Sequence, residues 1–213
     1  MTDARLKQGA TLVLVRHGET EGQSSIRYYG RTDLRLSEVG RMQMRAAGST
    51  LRERKFDTVF ASSLVRAQEG ARIVAGHDRI VCIEDFIEID FGLFEGLTAE
   101  EIQQRHPAEF AVWQSSRFEA DYTYPHGESR VAFNSRIDRG LKRMLELWKS
   151  DAMAPSSTSL LVAHRGVIRA IIRSLTVTDP VVELGSISIL EWDGAKWQPK
   201  VLDAVAHLEP PPP

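Results

Sequence analysis

Apolar residues fall along this chain either in short unbroken runs or at intervals of three and four, and the two patterns predict different elements. Residues 11–15 form a run rich in β-branched side chains that stops at Arg16-His17-Gly18, which predicts a buried strand opening into a loop. Further runs at 56–61, 80–83 and 160–163 predict three more strands, the last ending in His164. Between them, Met42, Met44, Ala46, Ala47 and Leu51 follow Leu36-Ser37-Glu38 at helical spacing, with Ser37 as the N-cap. Ser62 or Ser63 is placed to cap the next helix, in which Leu64, Val65, Ala67, Ala71, Ile73 and Val74 share a face. The stretch 98–150 reads as mainly helical, broken by a polar loop at 122–127, and 167–175 reads as a helix leaving the loop after His164. Asp193-Gly194 lies between apolar runs at 187–192 and 197–202, a strong hairpin signal.

Composition narrows the class of protein. A chain of 213 residues, 42% hydrophobic and 26% charged, suits one domain over 1–213 with at most a modest lid. The formal net charge of −2 carries no basic excess of the kind that binds phosphate backbones, so no nucleic-acid partner is expected. The single cysteine, Cys82, sits in the apolar run at 80–83 and is expected to be a small core residue rather than half of a disulfide or a metal ligand. The first nine residues lack the apolar stretch of a secretory signal and no run is long enough to span a bilayer, so no membrane partner and a reducing, cytoplasmic setting are expected. Residues 209–213, Glu followed by four prolines, are expected to be disordered. Nothing in the sequence specifies an oligomeric state.

The candidate chemistry lies at two similar strand ends. Arg16-His17-Gly18 follows the first strand and His164-Arg165-Gly166 follows a later one, so each histidine is placed at a strand's C-terminal end. In open parallel sheets ligands bind there. Neighbouring strands would bring both imidazoles to one crevice, and two histidines with arginines beside them suit a dianionic phosphoryl group. Phosphoryl transfer needs an aligned nucleophile, positive charge on the equatorial oxygens and a proton for the leaving alkoxide. A neutral imidazole can attack phosphorus when its other nitrogen is held by an acceptor.

Six ordered segments carry a resemblance to a known family. Leu14-Val15-Arg16-His17-Gly18-Glu19-Thr20 resembles the signature of the histidine phosphatase superfamily, also called the phosphoglycerate mutase-like family. It is followed in order by Tyr29-Gly30-Arg31-Thr32-Asp33, Ala61-Ser62-Ser63-Leu64-Val65-Arg66-Ala67, the run from Phe86 to Gly96, Pro125-His126-Gly127-Glu128-Ser129 and Val162-Ala163-His164-Arg165-Gly166, so the likeness spans 11 to about 203. The resemblance implies an α/β fold, a three-layer α/β/α sandwich with a mostly parallel sheet and a small helical cap at about 98–125. It implies a reaction needing no metal and no cofactor, in which His17 is phosphorylated and then hydrolysed. Arg16, Arg66 and His164 would surround the phosphate, Tyr29 and Gly30 would belong to the binding loop, and Glu88 would serve as proton donor and then activate water. A small phosphomonoester is the implied partner.

Two positions depart from the family's pattern. Gln23 stands where an asparagine often contacts the phosphoryl group, and is assigned to phosphate binding as a longer amide. Arg165 follows the second histidine where glycine is frequent; turned into the cleft it adds a cation for a second anionic group, turned outward it is a surface charge. Glu128 reads as an early-helix carboxylate, and Phe110, Trp113 and Phe118 as packing for a lid or core face that also suits contact with substrate. Between Glu88 and Glu128 the chain is shorter than in the family's mutases, which favours hydrolysis over transfer; a cofactor-dependent phosphoglycerate mutase and a silent phospho-ligand binding protein are the alternatives.

Overall fold

The computed structural model describes residues 6–151 and 157–208. Six strands form one sheet: β1 (Thr11–Arg16), β2 (Thr58–Ser62), β3 (Val81–Ile83), β4 (Thr158–Ala163), β5 (Ile187–Trp192) and β6 (Trp197–Ala204). Their spatial order is β3-β2-β4-β1-β5-β6. The pairs β2/β3, β2/β4 and β1/β4 are parallel, and β5 and β6 add an antiparallel hairpin beside β1. The helices are α1 (Glu38–Thr50), α2 (Val65–Ala75), α3 (Ala99–Arg105), α4 (Pro107–Ser116), α5 (Arg130–Asp151) and α6 (Arg165–Thr176).

Successive residues of a strand point to opposite faces, and in β1 both faces are covered. Leu12 and Leu14 join a core with Ile168, Ile171 and Ile172 of α6 and Ile137, Met144 and Trp148 of α5. Val13 and Val15 join a second core with Met44 and Ala47 of α1 and Ala71 and Val74 of α2. This is the expected three-layer sandwich, and it explains why β1 and β4 read as unbroken apolar runs. Each such Leu or Val stabilises the fold by about 1.5–3 kcal/mol on burial. From the expected cap segment, Ile102 of α3 and Phe110 and Trp113 of α4 pack into the α5/α6 core.

Ser37 caps α1 by accepting from the Gly40 amide at 3.1 Å. Neither Ser62 nor Ser63 occupies the cap of α2, whose N-cap residue is Leu64 with no side-chain bond. Cys82 corrects a second expectation: it is exposed. The strand β3 is only three residues long and lies at the sheet edge, so Ile83 alone is buried while Val81 and Cys82 stay exposed. The expectation for residues 209–213 falls outside the described residues. Among the described residues, no helix is long and apolar enough to cross a membrane.

Candidate active site

Register brings the two histidines together. In the β1/β4 pair Arg16 lies opposite Ala163, so the next residue of each strand, His17 and His164, emerges at the same level of the sheet. The chain then leaves β1 toward α1 on one face and β4 toward α6 on the other, which opens a crevice between the departing loops. The ring centroids are 5.1 Å apart, and the rings are 4% and 0% exposed. Nδ1 of His17 lies 2.7 Å from the Gly18 carbonyl oxygen, an acceptor that fixes the proton on Nδ1 and leaves the Nε2 lone pair free. Nδ1 of His164 accepts from Arg66 Nε at 3.3 Å, so its proton sits on Nε2, 2.8 Å from the Ser62 hydroxyl. Burial first, and then the charge of Arg66, hold both imidazoles well below their ordinary pKa near 6.5. Both are neutral in the fold.

The arginines differ in how they are tied. Arg66, 1% exposed, donates through Nη1 to the Thr32 carbonyl at 2.8 Å and through Nη2 to the Gly30 carbonyl at 2.7 Å and the Tyr29 carbonyl at 3.4 Å. Tyr29 and Gly30 thus hold Arg66 through their carbonyl oxygens. The loop itself hangs on Glu95, whose carboxylate accepts from the amides of Gly30, Arg31 and Thr32 and from the Thr32 hydroxyl. Arg16 donates to the Val182 carbonyl at 2.8 Å, but its buried Nε has no hydrogen-bond partner among the described residues, so a donor is left unused at the cavity wall. Burial, helped by neighbouring Arg165, brings the Arg16 pKa down to about 10, so it stays charged at neutral pH.

Glu88 is 6% exposed and lines the same cavity as Arg16 and His17. Its carboxylate accepts from the Ile89 amide at 2.9 Å and from the Gly166 amide at 2.8 Å, in the first turn of α6. Its own backbone is clamped by Arg136, which donates to the carbonyls of Asp85, Ile87 and Glu88 and grips Glu128 through Nε and Nη2, both at 2.7 Å. Glu128 is therefore the buried partner of Arg136 rather than an early-helix carboxylate. Arg165 lines the cavity beside Arg16, whereas Gln23 is exposed and absent from the lining, with Ser24 and Ser25 there instead. The Gln23 backbone has φ 63°, and its carbonyl accepts from the amides of Ile26 and Arg27, so this position works as a turn. Sequence reasoning missed the bond from His164 to the Ser62 hydroxyl and the clamp by Arg136. Ser62 ends a buried strand next to β4, and that placement was the available signal.

The family model of the histidine phosphatase superfamily (branch 1) matches residues 12–204. The chain belongs to the histidine phosphatase superfamily. Similar proteins include the uncharacterised phosphatase PhoE of Bacillus subtilis, 29% identical over 92% of this chain and 95% of that one. Another is the adenosylcobalamin/alpha-ribazole phosphatase of Salmonella typhimurium, 33% identical over 81% of this chain and 82% of that protein. Among solved structures, a mycobacterial glucosyl-3-phosphoglycerate phosphatase superposes with a TM-score of 0.76 at 27% identity, covering 92% of this chain and 99% of its own. With phosphatases among its relatives, this histidine phosphatase is a phosphoric monoester hydrolase.

Neutral buried histidines give the phosphatase a defined pH dependence of stability. Below about pH 6.5 the unfolded chain takes up protons that native His17 and His164 refuse, so their contribution is intact above that pH. It is lost as the pH falls, by up to about 1.4 kcal/mol per pH unit for each histidine. The carboxylate effects come later: Asp193, held at about 2 by bonds from Gln198 and the turn backbone, acts only below the unfolded value near 3.9. Urea unfolding of the wild type is expected to show stability falling between pH 6.5 and 5, with a shallower slope in His17→Ala. A flat profile over that interval contradicts neutral burial.

Proposed function

We propose that this chain hydrolyses a small phosphorylated metabolite through a phosphohistidine on His17. The observation that carries the reading is the pairing of His17 with Arg16: a buried neutral imidazole with Nδ1 tied to Gly18, beside a charged guanidinium whose Nε lacks a hydrogen-bond partner among the described residues. In the first step Nε2 of His17 attacks phosphorus, the bond to the leaving oxygen breaks, and protonated Glu88 gives its proton to that oxygen. Arg16 and Arg66 offset charge on the phosphoryl oxygens, and neutral His164 borders the group without adding a competing proton. In the second step Glu88 takes a proton from water, the water oxygen attacks phosphorus, and the N–P bond breaks. Inorganic phosphate leaves with His17 neutral and Glu88 protonated again.

The role given to Glu88 depends on Gly166. A Cβ at that position would collide with Oε1 of Glu88, the movable end of a side chain, so Gly166→Ala pushes the carboxylate away without displacing backbone. Misplacing a proton donor costs about 10²-fold. Turnover of an alkyl phosphate, whose leaving oxygen needs the proton, is expected to fall that far in Gly166→Ala, while p-nitrophenyl phosphate, with its better leaving group, falls much less. Equal losses on both esters would remove Glu88 from the proton-donor role.

The reading is tested by phosphate release from p-nitrophenyl phosphate, 3-phosphoglycerate and α-ribazole phosphate in excess EDTA. Release that survives the chelator supports metal-free hydrolysis, and the ranking of esters narrows the metabolite. No release from any of them, with isomerisation of 3-phosphoglycerate when 2,3-bisphosphoglycerate is added, would instead make the chain a mutase.

A further inference from the structure

The cavity over His17 is larger and more basic than a phosphoryl group requires. Its volume is about 690 Å³, within the range of roughly 300–1,000 Å³ seen for sites that enclose whole drug-sized ligands. Away from His17 its walls are aromatic, with Tyr28, Phe91, Trp113 and Phe133 facing it. The chain as a whole is slightly acidic, yet seven arginines line this one cavity against two carboxylates, Glu88 and Glu100. The excess is therefore local.

Four of those arginines are accounted for. Arg16 belongs to the phosphoryl end, Arg27 pairs with Glu101, Arg169 pairs with Asp179 at 2.6 Å, and Arg173 acts on that same Asp179. Arg117, Arg130 and Arg165 remain, and no carboxylate lies within ion-pair distance of any of them among the described residues. Arg117 lies over Trp113 and Phe118, with its guanidinium carbon 4.5 and 4.8 Å from the ring centroids, which fixes its plane at the cavity wall. The Nε atoms of Arg117 and Arg130 are buried without a hydrogen-bond partner among the described residues, a costly state unless a ligand completes it. Arg165 and Arg117 both act on the Tyr28 phenol, and Arg130 acts on Tyr124, so the three cations surround the aromatic half of the cavity.

We propose that the site takes a phosphomonoester whose far end carries a second anionic group, a carboxylate or a phosphate, received by Arg117, Arg130 and Arg165 while its body lies against Tyr28 and Trp113. This rests on the phosphatase reading for the position of the first phosphate at His17. Short, singly charged esters leave the second set of arginines unpaired and are selected against. Arginine suits the task because its fixed charge and planar fork match either anion.

Calorimetric titration of the full chain with non-hydrolysable phosphonates tests this without turnover. The probes are p-carbamoyl-, p-carboxy- and p-phosphonobenzylphosphonate, which share a ring and differ in the charge of the far group. At low salt at least one charged probe is expected to bind about tenfold or more tightly than the carbamoyl probe, a difference of about 1.4 kcal/mol. In Arg117→Gln/Arg130→Gln that ratio is expected to drop below about threefold, and whichever charged probe gains more identifies the anion. Equal affinity for all three probes in the wild type overturns the proposal, as does a preference that survives in the double variant. Hydrolysis of p-nitrophenyl phosphate, measured on the same preparation, reports separately on the phosphatase reading.

Discussion

Replacing His17 with alanine is expected to lower phosphate release from p-nitrophenyl phosphate by at least about ten-thousandfold, because removing a nucleophile eliminates the covalent route rather than weakening it. No neighbouring group substitutes for it. His164 lies in the same crevice, but its Nδ1 accepts from Arg66 and its Nε2 faces Ser62, so neither nitrogen presents a free lone pair. The measurement is initial-rate phosphate release, read beside far-ultraviolet circular dichroism to show that the variant is folded. A folded variant retaining a tenth of the wild-type rate would mean that the attacking group is elsewhere.

The second large effect is expected at Arg136, a positioning residue remote from the reacting atoms. Its side chain is 11% exposed and that of Glu128 is 10%, so the pair is nearly out of water. Removing one partner strands the other charge, which costs about 3–5 kcal/mol. Arg136→Met also leaves the carbonyls of Asp85, Ile87 and Glu88 without their donor. Urea unfolding is expected to show a loss of that size, with only partial recovery in Arg136→Met/Glu128→Leu, because the carbonyls stay unsatisfied in the double variant. Turnover of alkyl phosphates is expected to fall as the Glu88 segment loosens. A loss under about 1 kcal/mol would mean that water reaches the pair.

The parts of this molecule that were legible in the sequence are those in which one local pattern determines the outcome. The runs at 11–15 and 160–163 are apolar throughout because both faces of β1 and β4 are covered, and a histidine at the end of each run becomes a pair once the strands are neighbours. The hairpin around Asp193-Gly194 and the Ser37 cap are equally local. Long-range partnership is what the sequence hid. Cys82 sits in an apolar run, yet its exposure follows from the place of β3 in the strand order. The clamp between Arg136 and Glu128 joins a helix to the loop before it and then to a third segment, and no spacing rule predicts it. Arg117 and Arg130 lie on different elements and meet the α6 arginine only across the cavity.

Hydrolysis by this route passes through a covalent phosphate on His17, which can be trapped. The enzyme is mixed rapidly with a substrate, quenched in alkali, which preserves a phosphorus–nitrogen bond that acid would cleave, then digested and read by mass spectrometry. One added phosphoryl group is expected on the peptide carrying His17, formed within the first turnover and absent in His17→Ala. Steady hydrolysis with no phosphorylated peptide, or with the phosphoryl group on another residue, would contradict it.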